Sequence, residues 1–134
     1  MSPTPEVVNP CTWQDQFGFA QAVAVPPPSR WLLCAGQASH DADGNVLRPD
    51  DIGAQLTQSF DNLETVLGAA GTDLSHVVRL NYYTPDVDAL LGVWHRLAER
   101  LNRANCRPAS TFLGVTRLAF PEMLVEIEAT AFVP

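Results

Sequence analysis

Residues 106–131 read CRPASTFLGVTRLAFPEMLVEIEATA, and this stretch carries most of the functional information in the sequence. It predicts two β-strands joined by a short connection. In the second strand, apolar side chains alternate with a set that includes two glutamates. That period of two is typical of a strand with one face packed on a core. The predicted core-facing residues are Met123, Val125, Ile127, Ala129 and Ala131, and the opposite face carries Leu124, Glu126, Glu128 and Thr130.

Glu126 and Glu128 therefore share a face inside an otherwise apolar stretch. Carboxylates are uncommon in strands and are rarely buried without a partner. Two interpretations follow. Either this face is solvated, which the pattern alone favours, or a carboxylate lines a cleft and is available for general acid–base chemistry.

Composition limits the classes of function. The chain has 134 residues and 46% hydrophobic content, which predicts a single domain over residues 1–134. A net charge of −7 argues against binding to nucleic acid or to an anionic membrane. Residues 1–10 have neither a cationic start nor an apolar centre, so we expect no signal peptide. No apolar run is long enough to span a bilayer.

Cys11, Cys34 and Cys106 are odd in number and widely spaced, which predicts a reducing, cytoplasmic environment rather than a disulfide framework. The three histidines lack the spacing of metal ligands. Glycine-rich nucleotide loops and the nucleophile-elbow motif are absent from the sequence. The sequence therefore predicts no metal and no cofactor.

The first part of the chain is predicted to contain a hairpin. Residues 1–14 are polar and proline-bearing and are expected to form an irregular arm. Alternation over residues 17–25 and an apolar run over residues 31–35 predict two paired strands. Pro26–Pro28 separate them, because proline cannot donate to a strand ladder. Residues 41–44 carry the composition of a turn.

Two amphipathic helices complete the predicted order β-β-α-β-α-β-β. Asp50 or Asp51 caps the first, Gly71 ends it, and Gln55 is expected to face solvent. The second begins at Asp86, after a predicted strand over residues 77–83. The apolar stripes are Ile52, Leu56, Phe60, Leu63, Leu67 and Ala70 in the first helix, and Leu90, Val93, Trp94, Leu97 and Leu101 in the second.

One apolar stripe per helix predicts an α+β fold in which both helices cover one face of a mixed sheet. The other face is too apolar to remain in water as a large patch. A homo-oligomer that buries this face is therefore expected.

The order and spacing of several short segments resemble the RidA (YjgF) family over nearly the whole chain. The most specific are Pro108-Ala109 and the closing Val125–Ala129. The other matching segments are Ala35-Gly36-Gln37, Asp43-Gly44, Gln55, Asn62-Leu63, Val66-Leu67, Ala70-Gly71 and Val77-Val78.

This resemblance implies a chorismate-mutase-like fold and a homotrimer with a central barrel and ligand clefts between subunits. It also implies hydrolysis of reactive enamines and imines, such as 2-aminoacrylate, to keto acids and ammonia. Gly36 and Glu126 match family positions at which the ligand approaches the backbone and the attacking water is oriented. The RNA-cleaving activity attached to the family's name is disfavoured by the acidic charge.

Four positions depart from the family pattern. Ser110 stands where the family has an arginine that holds the substrate carboxylate, and a hydroxyl cannot form that bidentate pair. Phe112 replaces a cysteine, Phe19 a tyrosine and Trp94 an asparagine. Arg107 is predicted to lie on the opposite strand face from Ser110, which makes it a poor substitute.

The substitutions predict an aromatic cleft built from Phe19, Trp94 and Phe112, with Ser110 and Glu126 as its polar points. One hypothesis is an imine or enamine hydrolase that takes an apolar or aromatic small molecule and does not act on 2-aminoacrylate. The other is a non-catalytic module that binds a small ligand or a partner protein. In a third interpretation the aromatic side chains simply fill the pocket as core.

Overall fold

A five-stranded sheet forms the centre of the protein, and the structure, a computed structural model, describes residues 4–27 and 30–134. Helices cover one face of this sheet, and a separate two-stranded ribbon lies near the amino terminus. The elements are β1 (Glu6–Val8), a 3-10 helix (Trp13–Phe17), β2 (Ala22–Ala24), β3 (Arg30–Leu33), β4 (Gln37–Ala38), α1 (Ile52–Ala69), a second 3-10 helix (Leu74–His76), β5 (Val77–Thr84), α2 (Val87–Gly92), α3 (Trp94–Arg103), β6 (Ala109–Gly114) and β7 (Glu126–Val133).

β7 organises the sheet, because it pairs with strands on both of its sides. It runs antiparallel to β3 and β4 on one side and to β5 on the other. β5 and β6 are parallel, so the predicted α+β fold with a mixed sheet is confirmed. The predicted alternation is also confirmed, since Ile127, Ala129 and Ala131 of β7 are buried, as are Met123 and Val125 just before it. However, β5 separates β6 from β7, and residues 115–125 connect them.

The caps of α1 are those the sequence predicts. The Asp51 carboxylate accepts a hydrogen bond from the Ala54 amide at 3.0 Å, which satisfies a free donor of the first turn. Gly71 adopts a left-handed φ of 82°, and the Thr72 amide then returns to the Leu67 carbonyl at 3.0 Å. These caps fix the helix over the sheet, where Phe60 and Leu63 enter the core.

The expectation that Gln55 faces solvent is wrong. Its side chain is fully buried and bonds the backbone of two loops. The amide nitrogen donates to the carbonyls of Arg48 and Glu122, at 3.0 and 2.8 Å, and the amide oxygen accepts from the Leu124 amide at 2.8 Å. Buried backbone groups require such partners. Gln55 therefore holds the loop that leads into β7.

The predicted irregular arm and hairpin are both corrected. Residues 6–8 form β1, which pairs with β2, while β3 pairs with β7 instead of β2. Gly18, with a φ of 84°, ends the first 3-10 helix and packs against Ala98 of α3, so the predicted strand over residues 17–25 shortens to β2. Of the predicted proline turn, residues 28 and 29 lie outside the described residues.

The predicted second helix is two helices, α2 and α3, divided at Val93. The Asp86 carboxylate caps α2 by accepting from the Ala89 amide at 3.1 Å. Val93 has a φ of −114°, outside the helical range, so Trp94 begins a new helix. The apolar stripe survives the break, because Leu90 and Leu97 are both buried.

The sheet face away from the helices exposes large apolar side chains. Leu33 is 79% exposed and Leu113 is 45% exposed, and both share this face with Glu128. Trp31 is 57% exposed on β3. This matches the uncovered apolar face expected from the helix stripes. The homotrimer that would bury it stays a prediction.

Replacing Gly68 by alanine should stabilise the protein by roughly 0.5–1 kcal/mol, because alanine loses less backbone entropy in a helix. An added Cβ at this exposed position in α1 meets no atom within 4 Å. Gly71→Ala is the matched control and should destabilise, since φ there is 82°. Urea denaturation measures both variants. A destabilised Gly68→Ala would contradict the helix geometry given for residues 52–69.

Candidate active site

Glu126 and Gly36 meet at the start of β7. Glu126 pairs with Ala38 of β4 and with Tyr83 of β5. A Cβ atom on Gly36 would lie 2.7 Å from the Glu126 Cδ, closer than non-bonded carbons approach. In this side-chain conformation, the missing Cβ of Gly36 therefore leaves room for the carboxyl group to rest against the backbone. The structure brings these two predicted site residues together.

The two glutamates of β7 have different surroundings. Glu128 is exposed, and its Oε1 accepts from the Tyr83 hydroxyl at 2.8 Å and from the Asn81 amide at 3.2 Å. Glu126 is half-buried, and no hydrogen bond to its carboxyl group is found among the described residues. Glu128 is thus a structural acceptor, while Glu126 remains available to a ligand or a water molecule.

Glu126 opens into a small cavity of about 200 Å³ between the loop after β4 and the loop before β7. The walls are mainly apolar, and the polar side chains among them include Glu126 and His40. The lining residues are Gly36, Ala38, Ser39, His40, Gly44, Val46, Ala119, Phe120, Met123 and Glu126. A largely apolar cavity with a few placed polar groups is the usual form of a small-molecule site.

A larger groove lies elsewhere. It measures about 510 Å³ and runs along Val7, His76 and Arg107. None of the predicted site residues lines it, and the two basic side chains named here already have partners. Arg107 bonds Asp15 at 2.8 Å, and the His76 ring bonds the Thr72 hydroxyl at 3.0 Å. The smaller cavity at Glu126 is the better candidate because it holds a free carboxyl group.

Burial raises the pKa of the Glu126 carboxyl group above its usual range. The negative charge of Glu128 adds to this effect, and His40 opposes it. The protonated acid is therefore favoured in the folded state, so the folded protein binds its proton more tightly than the unfolded chain does.

We expect this carboxyl group to destabilise the fold as pH rises from the unfolded pKa through the raised folded pKa. Glu126→Gln should remove that loss, so the variant should be at least as stable as the parent at pH 7. Denaturation measured from pH 4 to pH 8 tests this. A variant that loses stability relative to the parent as pH rises would contradict the assignment.

Trp94 and Phe112 also come together, on the helix-covered face. The Trp94 ring lies 5.3 Å from Phe112 and 5.0 Å from Tyr82, measured between centroids, and its Nε1 donates to the Phe17 carbonyl at 3.2 Å. Both rings are half-buried and pack against the core. No ring contact joins the third predicted ring, Phe19, to this pair among the described residues.

Phe19 contacts Trp13 instead, at 5.7 Å between ring centroids. Trp13 is 57% exposed on the first 3-10 helix. Sequence reasoning missed Trp13, because it treated residues 1–14 as an irregular arm. An exposed tryptophan five residues before a glycine turn is ordinary in sequence, and its position beside Phe19 depends on the left-handed φ of Gly18.

Ser110 lies on β6 next to Leu80, on the helix-covered face. On the same face lies Tyr82, whose hydroxyl is buried and lacks a hydrogen-bond partner among residues 4–27 and 30–134. Burial raises the pKa of the Tyr82 phenol well above its usual range, and the Ser110 hydroxyl opposes this weakly. Tyr82 is a second polar group that sequence reasoning missed.

Apart from Phe19, the predicted site residues thus form two groups on opposite faces of the sheet. Glu126 shares its face with Tyr83, while Ser110 and Phe112 share the other face with Leu80 and Tyr82. Within one chain, the two groups cannot contact the same ligand.

No helix in the described part of the chain is long and apolar enough to cross a membrane.

The chain belongs to the family described as Endoribonuclease L-PSP, which is the YjgF/RidA family, since that family model matches residues 15–133. A RutC family protein of Pyrococcus horikoshii is 29% identical over 114 residues, covering 85% of this chain and 86% of the relative.

Two solved structures are similar to this one. A member of the conserved Rid protein family from Yersinia pestis is 36% identical, with a TM-score of 0.87 and coverage of 97% of this chain and 99% of that one. The YjgF gene product of Escherichia coli is 25% identical, with a TM-score of 0.68 and coverage of 84% and 86%. The family resemblance seen in the sequence is therefore confirmed.

Proposed function

We propose that this protein hydrolyses imines or enamines, with Glu126 as the acid–base group. The observation that carries this proposal is the free, half-buried carboxyl group of Glu126 against Gly36. Hydrolysis requires a water molecule to lose a proton as it attacks the imine carbon. A carboxyl group whose pKa is raised toward neutral pH suits this role, because it can accept the proton and later return it.

The cleft is proposed to lie between two subunits of a homotrimer. Glu126 and Gly36 would come from one subunit, and Trp94, Phe112 and Ser110 would come from its neighbour. The placement of these groups on opposite faces of the sheet supports this arrangement, because a single chain cannot direct both at one ligand. The exposed Leu33 and Leu113 on the uncovered face provide apolar surface for the contact.

The proposed substrates lack a carboxylate and carry an apolar or aromatic substituent. Ser110 offers a neutral hydroxyl where the family resemblance places an arginine. Arg107 does not replace it, since its guanidinium already bonds Asp15 at 2.8 Å. A carboxylate desolvated among aromatic rings without a cationic partner would be unfavourable.

The test is amine release from a panel of imines by the purified protein. The panel holds aldimines of benzaldehyde and of aliphatic aldehydes, together with freshly generated 2-aminoacrylate. We expect acceleration for the carboxylate-free imines, in proportion to protein concentration. A protein that accelerates none of them would contradict the proposal.

The second candidate is a non-catalytic binding module. The contacts of Trp94 with Tyr82 and Phe112 favour it, because these rings pack as core and leave fewer groups for chemistry. Saturable binding of a small aromatic molecule, measured by calorimetry and unaccompanied by turnover of any imine, would support this alternative.

A further inference from the structure

His40 lines the same cavity as Glu126 and belongs to no segment that carries the family resemblance. It lies half-buried in the loop after β4, where it bridges to Val46. Its charge acts on the Glu126 carboxyl group across the cavity. The other titratable groups near the pair are Glu128 and Tyr83, which bond each other, and Asp41, which follows His40.

The position of His40 is fixed by hydrogen bonds to its backbone. The Asn62 side-chain amide, on α1, donates to the carbonyls of Ala38 and His40, at 2.8 and 3.0 Å. The backbone amide of His40 donates to the Ala38 carbonyl at 3.0 Å. A helix thus holds the loop that carries the imidazole, which is the support that a positioned catalytic group needs.

The tautomer of His40 follows from its partner. Nδ1 lies 3.0 Å from the Asp41 carbonyl oxygen, which can only accept a hydrogen bond. Nδ1 must therefore carry a proton, and Nε2 is the nitrogen that can bind or release a second proton. This arrangement of a backbone acceptor on one ring nitrogen is a common way to orient a working histidine.

We propose that His40 is the proton partner of Glu126, a second catalytic group whose Nε2 gives a proton to the substrate nitrogen as water adds and takes one from the carbinol hydroxyl as the amine leaves. The proposal rests on the imine-hydrolase function given above and extends it. Glu126 and His40 divide the two proton transfers that hydrolysis requires.

In the first step the water oxygen bonds to the imine carbon, and Glu126 takes one proton from that water. The electron pair of the C=N double bond moves to nitrogen, which takes the proton from Nε2 of the imidazolium. The product is a neutral carbinolamine, with Glu126 protonated and His40 neutral.

In the second step Glu126 returns its proton to the amine nitrogen, and the C–N bond breaks with its electron pair on nitrogen. The carbinol hydroxyl gives its proton to Nε2 as the C=O bond forms. An aldehyde or ketone and an amine leave, and the carboxylate and imidazolium are restored. Over the two steps, water is the only co-reactant that is consumed.

The test compares His40→Gln with His95→Gln. His95 is exposed on α3 and controls for the loss of a histidine. With the imine that the parent hydrolyses best, His40→Gln should lower kcat roughly 10²–10⁴-fold, the usual contribution of a general acid. It should also abolish the alkaline limb of the pH–rate profile. His95→Gln should match the parent in both respects.

A second readout does not depend on turnover. The Glu126 carboxyl group is titrated by ¹³C NMR in the parent and in His40→Gln. Because the charged imidazole lowers the pKa of Glu126, its removal should move that titration to higher pH. An unmoved titration, or an unchanged kcat and alkaline limb, would overturn the proposal. A parent inactive on every imine would overturn the proposed function, and the titration alone would then decide whether the two groups are coupled.

Discussion

Glu126→Gln should lower the rate of imine hydrolysis by roughly 10²–10⁴-fold, the range seen when a general acid–base group is removed. The amide keeps the size and the hydrogen-bonding shape of the side chain but cannot exchange a proton. The contact with Gly36 should survive, and so should the fold and the oligomer. Steady-state amine release measures the rate, and light scattering measures the mass.

Glu128→Gln is the matched control on the same strand. Its amide oxygen can still accept from the Tyr83 hydroxyl, which now lies at 2.8 Å from the carboxylate. We expect little change in the maximal rate. Because Glu128 raises the pKa of Glu126, its neutralisation should move the acid limb of the pH–rate profile to lower pH. Equal activity in both variants and the parent would favour the binding-module alternative.

Phe60→Ala and Leu63→Ala should each cost about 2–5 kcal/mol of unfolding free energy, the range for large-to-small changes in a packed core. Phe60 is 1% exposed and Leu63 is fully buried between α1 and the sheet. The Arg100 guanidinium also lies 5.3 Å from the Phe60 ring, which adds a contact that alanine loses. Chemical denaturation provides the measurement.

Leu91→Ala is the control for that pair. Leu91 is 51% exposed on α2, so its truncation should change stability by no more than about 0.5 kcal/mol. Losses below about 0.5 kcal/mol for both Phe60→Ala and Leu63→Ala would mean that the core assigned to α1 is wrong.

Local signals in the sequence were sufficient to predict much of the fold. The Asp51 cap, the Gly71 stop and the alternation in β7 each depend on residues within one element, and the structure confirms them. The prediction that Gln55 faces solvent was wrong because its hydrogen-bond partners, such as Leu124, are far away in sequence. A polar residue on a helix normally faces water, and only the loop backbone that it serves explains its burial.

Pairing partners were harder to predict than the strands themselves. The apolar run at Trp31 was correctly assigned to a strand, but its neighbour is β7 rather than β2. Strand pairing between distant segments leaves no local pattern in one sequence.

For the candidate site, too, the sequence predicted some residues and missed others. Glu126 and Gly36 were found from strand periodicity and family resemblance, and the structure places them in contact. The proposed role of His40 could not be predicted, because nothing in its neighbourhood indicates that the loop after β4 returns to the start of β7. Phe19, Trp94 and Phe112 were predicted as one cleft, whereas the ring contacts join only Trp94 and Phe112.

The most direct test of the proposed function is the ratio of kcat/KM for two imines that differ only by a carboxylate. The aldimine of benzaldehyde and its 4-carboxylate analogue form such a pair. With Ser110 in place of an arginine, one charge-assisted pair worth about 2–5 kcal/mol is missing, which corresponds to roughly tens to thousands of fold in rate. A carboxylate in this cleft would also lose water without gaining a cationic partner, so we expect the uncharged imine to be preferred. A ratio near one, or a preference for the carboxylate, would contradict the account of an apolar cleft centred on Glu126.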